Sequence, residues 1–131
     1  MLRGLTTVSF YADDLDAASG WYAEVLGIQP YFSRPGYIEF RIGDSEDELG
    51  IIDRRFAPRP TAEPGGAVVY WHVDDLASVV SRLLALGAVE YEPVREHGPG
   101  FVTASVVDPF GNVLGVMENQ HYLQTLAAPR P

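Results

Sequence analysis

The chain has 131 residues, 47% of them hydrophobic, which suits one globular domain able to bury its own core. It contains no cysteine, so a disulfide framework, a thiolate nucleophile and thiolate metal ligation are excluded. All nine basic residues are arginines within a formal net charge of -9, a field that repels a phosphate backbone and tolerates a cationic ligand.

Nucleic acid is therefore not an expected partner, although Arg54, Arg55 and Arg59 form a small basic cluster. No stretch approaches the ~18 apolar residues of a membrane span, so a soluble, cytoplasmic protein without membrane partners is expected. In chain order, TTVSFYA alternates as a strand does, and DDLD follows as an acidic helix start with Asp13 as the expected N-cap. Leu15, Ala18, Tyr22, Val25 and Leu26 make one apolar helix face, which Gly27 ends. Three shorter strands are expected at 29–33, 37–42 and 49–52, separated by Arg34-Pro35-Gly36 and Gly43-Asp44-Ser45. Residues 57–66, rich in proline and glycine, read as a linker.

The same order then repeats. VVYWHV reads as a strand, Asp74 and Asp75 open a helix, and Leu76, Val79, Val80, Leu83 and Leu86 make its stripe before Gly87. An offset of 61 places Asp13, Asp14 and Leu15 on Asp74, Asp75 and Leu76. Strands are expected at 88–93, 101–107 and 112–117, with His97-Gly98-Pro99-Gly100 and Asp108-Pro109-Phe110-Gly111 as turns. The reading is an α+β fold of paired βαβββ modules, 5–56 and 67–119, forming a curved mixed sheet with outer helices and a concave ligand-binding side; 120–131 reads as a tail.

ADDLDAASGWYAEVLGI, WHVDDLASVVSRLLALGA and DPFGNVLGVME resemble segments of the vicinal oxygen chelate superfamily, which includes glyoxalases, bleomycin-resistance proteins, extradiol dioxygenases and fosfomycin-resistance enzymes. The resemblance implies a fold of two βαβββ modules and a homodimer. It also implies four metal-ligand positions, which fall here on Thr7, Val68, Gly115 and a place near Gly50, with Glu48 or Asp53 entering if that strand is shifted. None carries the family's histidine or glutamate, and a divalent ion needs several converging N or O donors, so neither metal nor other cofactor is expected.

Strand alternation then turns Thr7, Ser9 and Tyr11, and likewise Tyr70 and His72, toward the concave side, with Tyr37 and Met117 as further wall residues. These are the candidate ligand-binding residues. His72 is also the candidate catalytic group, because imidazole exchanges protons near neutral pH; its alternative is a satisfied residue at a strand end. His97 reads as a turn residue and His121 as surface or dimer packing. The expected function is metal-independent binding or sequestration of a small organic molecule, such as a basic antibiotic or metabolite. The alternatives are a metal-independent isomerase, lyase or epimerase using His72 or a cleft carboxylate, and a scaffold with a vestigial cleft.

Overall fold

The computed structural model describes residues 1, 3, 5–57 and 63–129; residues 58–62 of the expected linker, Arg59 among them, and residues 130–131 of the tail lie outside these. The chain divides into two compact units, Met1–Glu63 with Phe110–Asn112, and Pro64–Pro109 with Val113–Pro131. Among the described residues no helix is long and apolar enough to cross a membrane.

In the first unit, β1 (Thr7–Ala12) leads to α1 (Leu15–Leu26), then β2 (Phe32–Arg34), β3 (Tyr37–Ile42), β4 (Asp47–Asp53) and a single 3-10 turn, Arg54–Phe56. The sheet order is β1-β4-β3-β2, with β1 parallel to β4 and the other pairs antiparallel. Ile38, Phe40 and Ile42 are buried while Tyr37, Glu39 and Arg41 face the other way, the period-two pattern of a sheet with one face on its core. Helix α1 covers that core face with Ala18 and Tyr22. Trp21 meets both Tyr22 and Phe110 edge-on, at centroid distances of 4.8 and 6.2 Å.

The N-cap of α1 is Asp14, not Asp13: Asp14 is extended and its carboxylate accepts from the Ala17 amide at 3.0 Å. Asp13 is instead held by Arg54 Nε at 3.0 Å. Strand β2 starts later than expected, since Pro30 has no amide to donate; pairing begins with Tyr31 N–H on Glu39 O at 2.8 Å.

In the second unit, β5 (Tyr70–His72), α2 (Leu76–Ala85), β6 (Val89–Gly98), β7 (Phe101–Val107) and β8 (Val113–Asn119) repeat the arrangement in the order β5-β8-β7-β6, again with only the outer pair β5 and β8 parallel. Asp75 caps α2 through the Ser78 amide at 3.2 Å, and Glu118 Oε2 accepts from the Leu76 amide at 2.9 Å, so two carboxylates meet the positive end of that helix. Leu76 and Leu83 are its buried residues. Strand β6 continues five residues past the expected end at Pro93. An edge strand bonds a neighbour on one side only, so a residue without N–H is tolerated there.

The expected tail contains a helix, α3 (Gln120–Ala127), capped by Asn119 through the Tyr122 amide at 3.2 Å. No residue of α3 is fully buried, and half of its eight residues are polar, so it does not read as a core helix.

The turn Phe110–Asn112 serves the first unit. Asn112 Oδ1 accepts from the Tyr11 amide at 3.2 Å and Asn112 Nδ2 donates to the Tyr11 carbonyl at 2.9 Å, while Arg54 Nη2 donates to Phe110 O at 2.7 Å. Asn112→Ala leaves both polar groups of Tyr11 without this partner. It is expected to destabilise by about 2 kcal/mol in urea titrations, and an unchanged midpoint would contradict the role.

Candidate functional site

Each unit packs one helix, α1 or α2, on one sheet face and leaves the other face largely open, α3 meeting it in the second unit through Tyr122 on His72. On β4 the row across the first of these open faces is Ser9, Gly50 and Glu39; on β8 the equivalent row is Tyr70, Gly115, Ser105 and Glu92. Ser9 and Tyr70 differ by the repeat offset of 61, so Gly50 and Gly115 occupy equivalent places in the two units.

A tyrosine lies over each glycine. A Cβ on Gly50 would stand 2.7 Å from Tyr37 Oη, and one on Gly115 would stand 2.7 Å from both Tyr70 Cδ1 and the Val69 carbonyl oxygen. Tyr37 reaches its glycine from β3 and donates to Glu39 Oε1 at 2.7 Å; Tyr70 reaches from β5 and donates to Glu92 Oε1 at 3.1 Å. Burial, then the hydrogen bond and charge of Glu39, with Glu48 adding, push the Tyr37 phenol up to about 12 against a weaker opposing pull from Arg34. Burial, followed by the bond and charge of Glu92, also raises Tyr70.

The resemblance implied four metal-ligand positions, two of them at or near these glycines. Of the four positions, only Thr7 carries an oxygen on its side chain, and that hydroxyl donates to Glu48 Oε1 at 2.7 Å. Glu48 therefore joins Thr7 on the open face, but Val68, Gly50 and Gly115 supply no side-chain donor. Among the described residues no three His, Asp or Glu side chains gather as a metal centre would require. This donor set does not fit a catalytic divalent ion.

Tyr70 and Met117 share a concavity of about 250 Å3 on the second sheet, completed by Glu92, Pro93, Arg95, His97 and Thr103. His72, though on the strand of Tyr70, opens onto a different hollow of about 180 Å3 with Asp74, Gly100, Asn119, Gln120 and Leu123. Thr7, Ser9, Tyr11 and Tyr37 lie together on the open face of the first sheet, where Thr7 and Ser9 are exposed and Tyr11 and Tyr37 half-buried.

The surroundings of His72 limit its chemistry. Its Nδ1 accepts the Asn119 amide at 3.2 Å, so the neutral ring carries its proton on Nε2, which faces Asp74 Oδ1 at 3.3 Å. One ring face stacks on Tyr122 of α3, with centroids 4.6 Å apart at 14°. The side chain is 9% exposed. No free lone pair remains on the neutral ring to abstract a proton from a bound molecule.

His97, read from sequence as a turn residue, lies on β6, and its Nε2 meets Thr103 Oγ1 at 2.8 Å on the concavity wall. Glu92, Arg95, Thr103 and Ser105 were not among the sequence candidates. The available signal was Pro93 inside the strand, which marks an edge or a bulge; the shift that puts Glu92, Arg95 and His97 on one hollow shows only in the pairing. His121 is exposed on α3.

Two outcomes follow from the tyrosine and glycine pairs. Because the folded protein holds the Tyr37 proton more tightly than the unfolded chain, the associated stability is complete below the ordinary value of 10.0 and is lost as pH rises through about 12. Urea midpoints over that range should fall more steeply for the parent protein than for Tyr37→Phe; parallel curves would refute the coupling. Gly115→Ala must displace a backbone carbonyl and should cost about 1–3 kcal/mol, whereas Gly50→Ala meets only a side chain and should cost less. The reverse ranking in thermal unfolding would count against the packing described.

No curated protein matches the sequence. Solved structures similar to this chain include lactoylglutathione lyase from Agrobacterium tumefaciens, 26% identical over 91% of this chain and 96% of that one, with a TM-score of 0.68. A bleomycin resistance determinant encoded on the transposon Tn5 is 22% identical over 90% and 99%, with a TM-score of 0.64. A glyoxalase-related enzyme from Fulvimarina pelagi is 21% identical over 88% of each chain, with a TM-score of 0.69. The sequence model of one family matches residues 4–116, and with the βαβββ order found in both units it makes this chain a member of the Glyoxalase/Bleomycin resistance protein/Dioxygenase superfamily.

Proposed function

We propose that the protein binds and sequesters a small organic molecule bearing a cationic group, without a metal, in the concavity on the open face of the second sheet. The observation that carries this reading is Gly115 roofed by Tyr70, whose phenol is tied to Glu92, at a place where the family resemblance implies a metal ligand. An aromatic ring, a thioether and a carboxylate then line one hollow, a combination suited to holding an apolar body with a charged end. The likeness to a bleomycin resistance determinant supports an antibiotic or a related metabolite as the guest. The engaged nitrogens of His72 favour binding over proton transfer by that residue. A cytoplasmic homodimer is the proposed form, by analogy with the family.

Native mass spectrometry of protein purified from its own cells tests these points together. A small molecule retained through chelator treatment, on a protein of twice the chain mass, is the expected result. Loss of that molecule with a chelated divalent ion would overturn metal independence, and a single-chain mass would overturn the dimer. His72→Gln should leave retention unchanged; a turnover abolished by that substitution would establish the proton-transfer reading instead.

A further inference from the structure

We infer that the guest of the second-sheet concavity is a zwitterion, with Glu92 receiving an ammonium group and Arg95 a carboxylate of the same molecule. This inference rests on the small-molecule reading of that concavity and specifies its ligand class.

In a regular strand, residues three apart point to opposite faces. Glu92 and Arg95 nevertheless line one hollow. The cause is a break in register: Glu92 pairs with Ser105 and Arg95 with Thr103, so three residues of β6 span two of β7. The extra residue is a β-bulge, a device that re-aims a side chain. It falls at Pro93-Val94, and it puts opposite charges on the face that carries Tyr70 and Met117.

The two charges are prepared differently. Glu92 is fixed from one side, its Oε1 accepting from Tyr70 Oη at 3.1 Å and from the fully buried Ser105 Oγ at 3.0 Å. Among the described residues no hydrogen bond is made to its Oε2. Arg95 makes no ion pair among the described residues, with Glu92 or with any other carboxylate. Their partners on β7 are two residues apart, about 7 Å along the strand. The pair is thus close enough for one small molecule to reach both, without being closed on itself.

Charge selection follows from this spacing. A simple amine at Glu92 leaves the Arg95 guanidinium unpaired and repelling it nearby, and a simple carboxylate at Arg95 meets Glu92 in the same way. A molecule with both groups answers both charges. The volume of about 250 Å3 favours a guest of amino-acid size with an apolar side group against Tyr70 and Met117.

Isothermal titration with L-phenylalanine, phenethylamine and 3-phenylpropionate compares the zwitterion with its two single-charge counterparts. Amide shifts of Tyr70, Thr103 and Met117 in nuclear magnetic resonance spectra locate the binding. Phenylalanine is expected to bind at least about tenfold more tightly than either counterpart. Arg95→Gln should reduce its affinity to that of phenethylamine, and Glu92→Gln to that of 3-phenylpropionate. If phenethylamine binds at those residues as tightly as phenylalanine, the zwitterion inference is wrong while the binding reading stands; if no probe moves those resonances, both fail. Should Glu92→Gln misfold through loss of its Tyr70 and Ser105 bonds, Arg95→Gln still decides, because Arg95 has no ion pair whose loss would disturb the fold.

Discussion

The open faces of both sheets depend on a missing side chain. At Gly50 and Gly115 the central strand presents bare backbone, and a tyrosine ring occupies the space a Cβ would need. Glycine within a strand costs about 0.5–1 kcal/mol relative to alanine, a cost offset here by ring packing and a phenol hydrogen bond. That arrangement fixes the position of each phenol, the position of each phenol fixes a glutamate, and the glutamates give the two faces their charge. A larger residue at either glycine would disturb the whole series.

The location of His72 follows from a different constraint. Helix α3 begins at Asn119, whose amide is the donor to His72 Nδ1 and whose side chain caps the same helix. One turn later in the helix, Tyr122 covers the imidazole. The histidine therefore serves as a docking point for a surface helix with no fully buried residue of its own.

Much of this was legible in the sequence. The repeat, both helices with their glycine stops, and the strands at 37–42 and 101–107 follow from periodicity and turn residues, because those signals are local. The wall residues Tyr70 and Met117 were also accessible, since alternation assigns a face once a strand is known. What escaped depended on distant partners. Asp13 and Asp14 are chemically alike, and the second of them caps α1 as Asp75 caps α2, while Asp13 pairs with Arg54 far along the chain. Likewise α3 owes its place to His72, which no local pattern around Gln120 announces.

The bulged edge strand explains why the chemistry of the second-sheet hollow was the hardest part to read. Central strands β4 and β8 are bonded on both sides, so their register is locked and their side chains keep strict alternation. Strand β6 is bonded on one side only and carries three register shifts along its length. Each shift changes which residues face the hollow without disturbing the ladder between β7 and β8. Sequence change at such an edge can therefore alter the charge of the concavity while the core stays intact. In this chain the central strand carries glycine at 115, and the charged groups of the second face come from the edge strand.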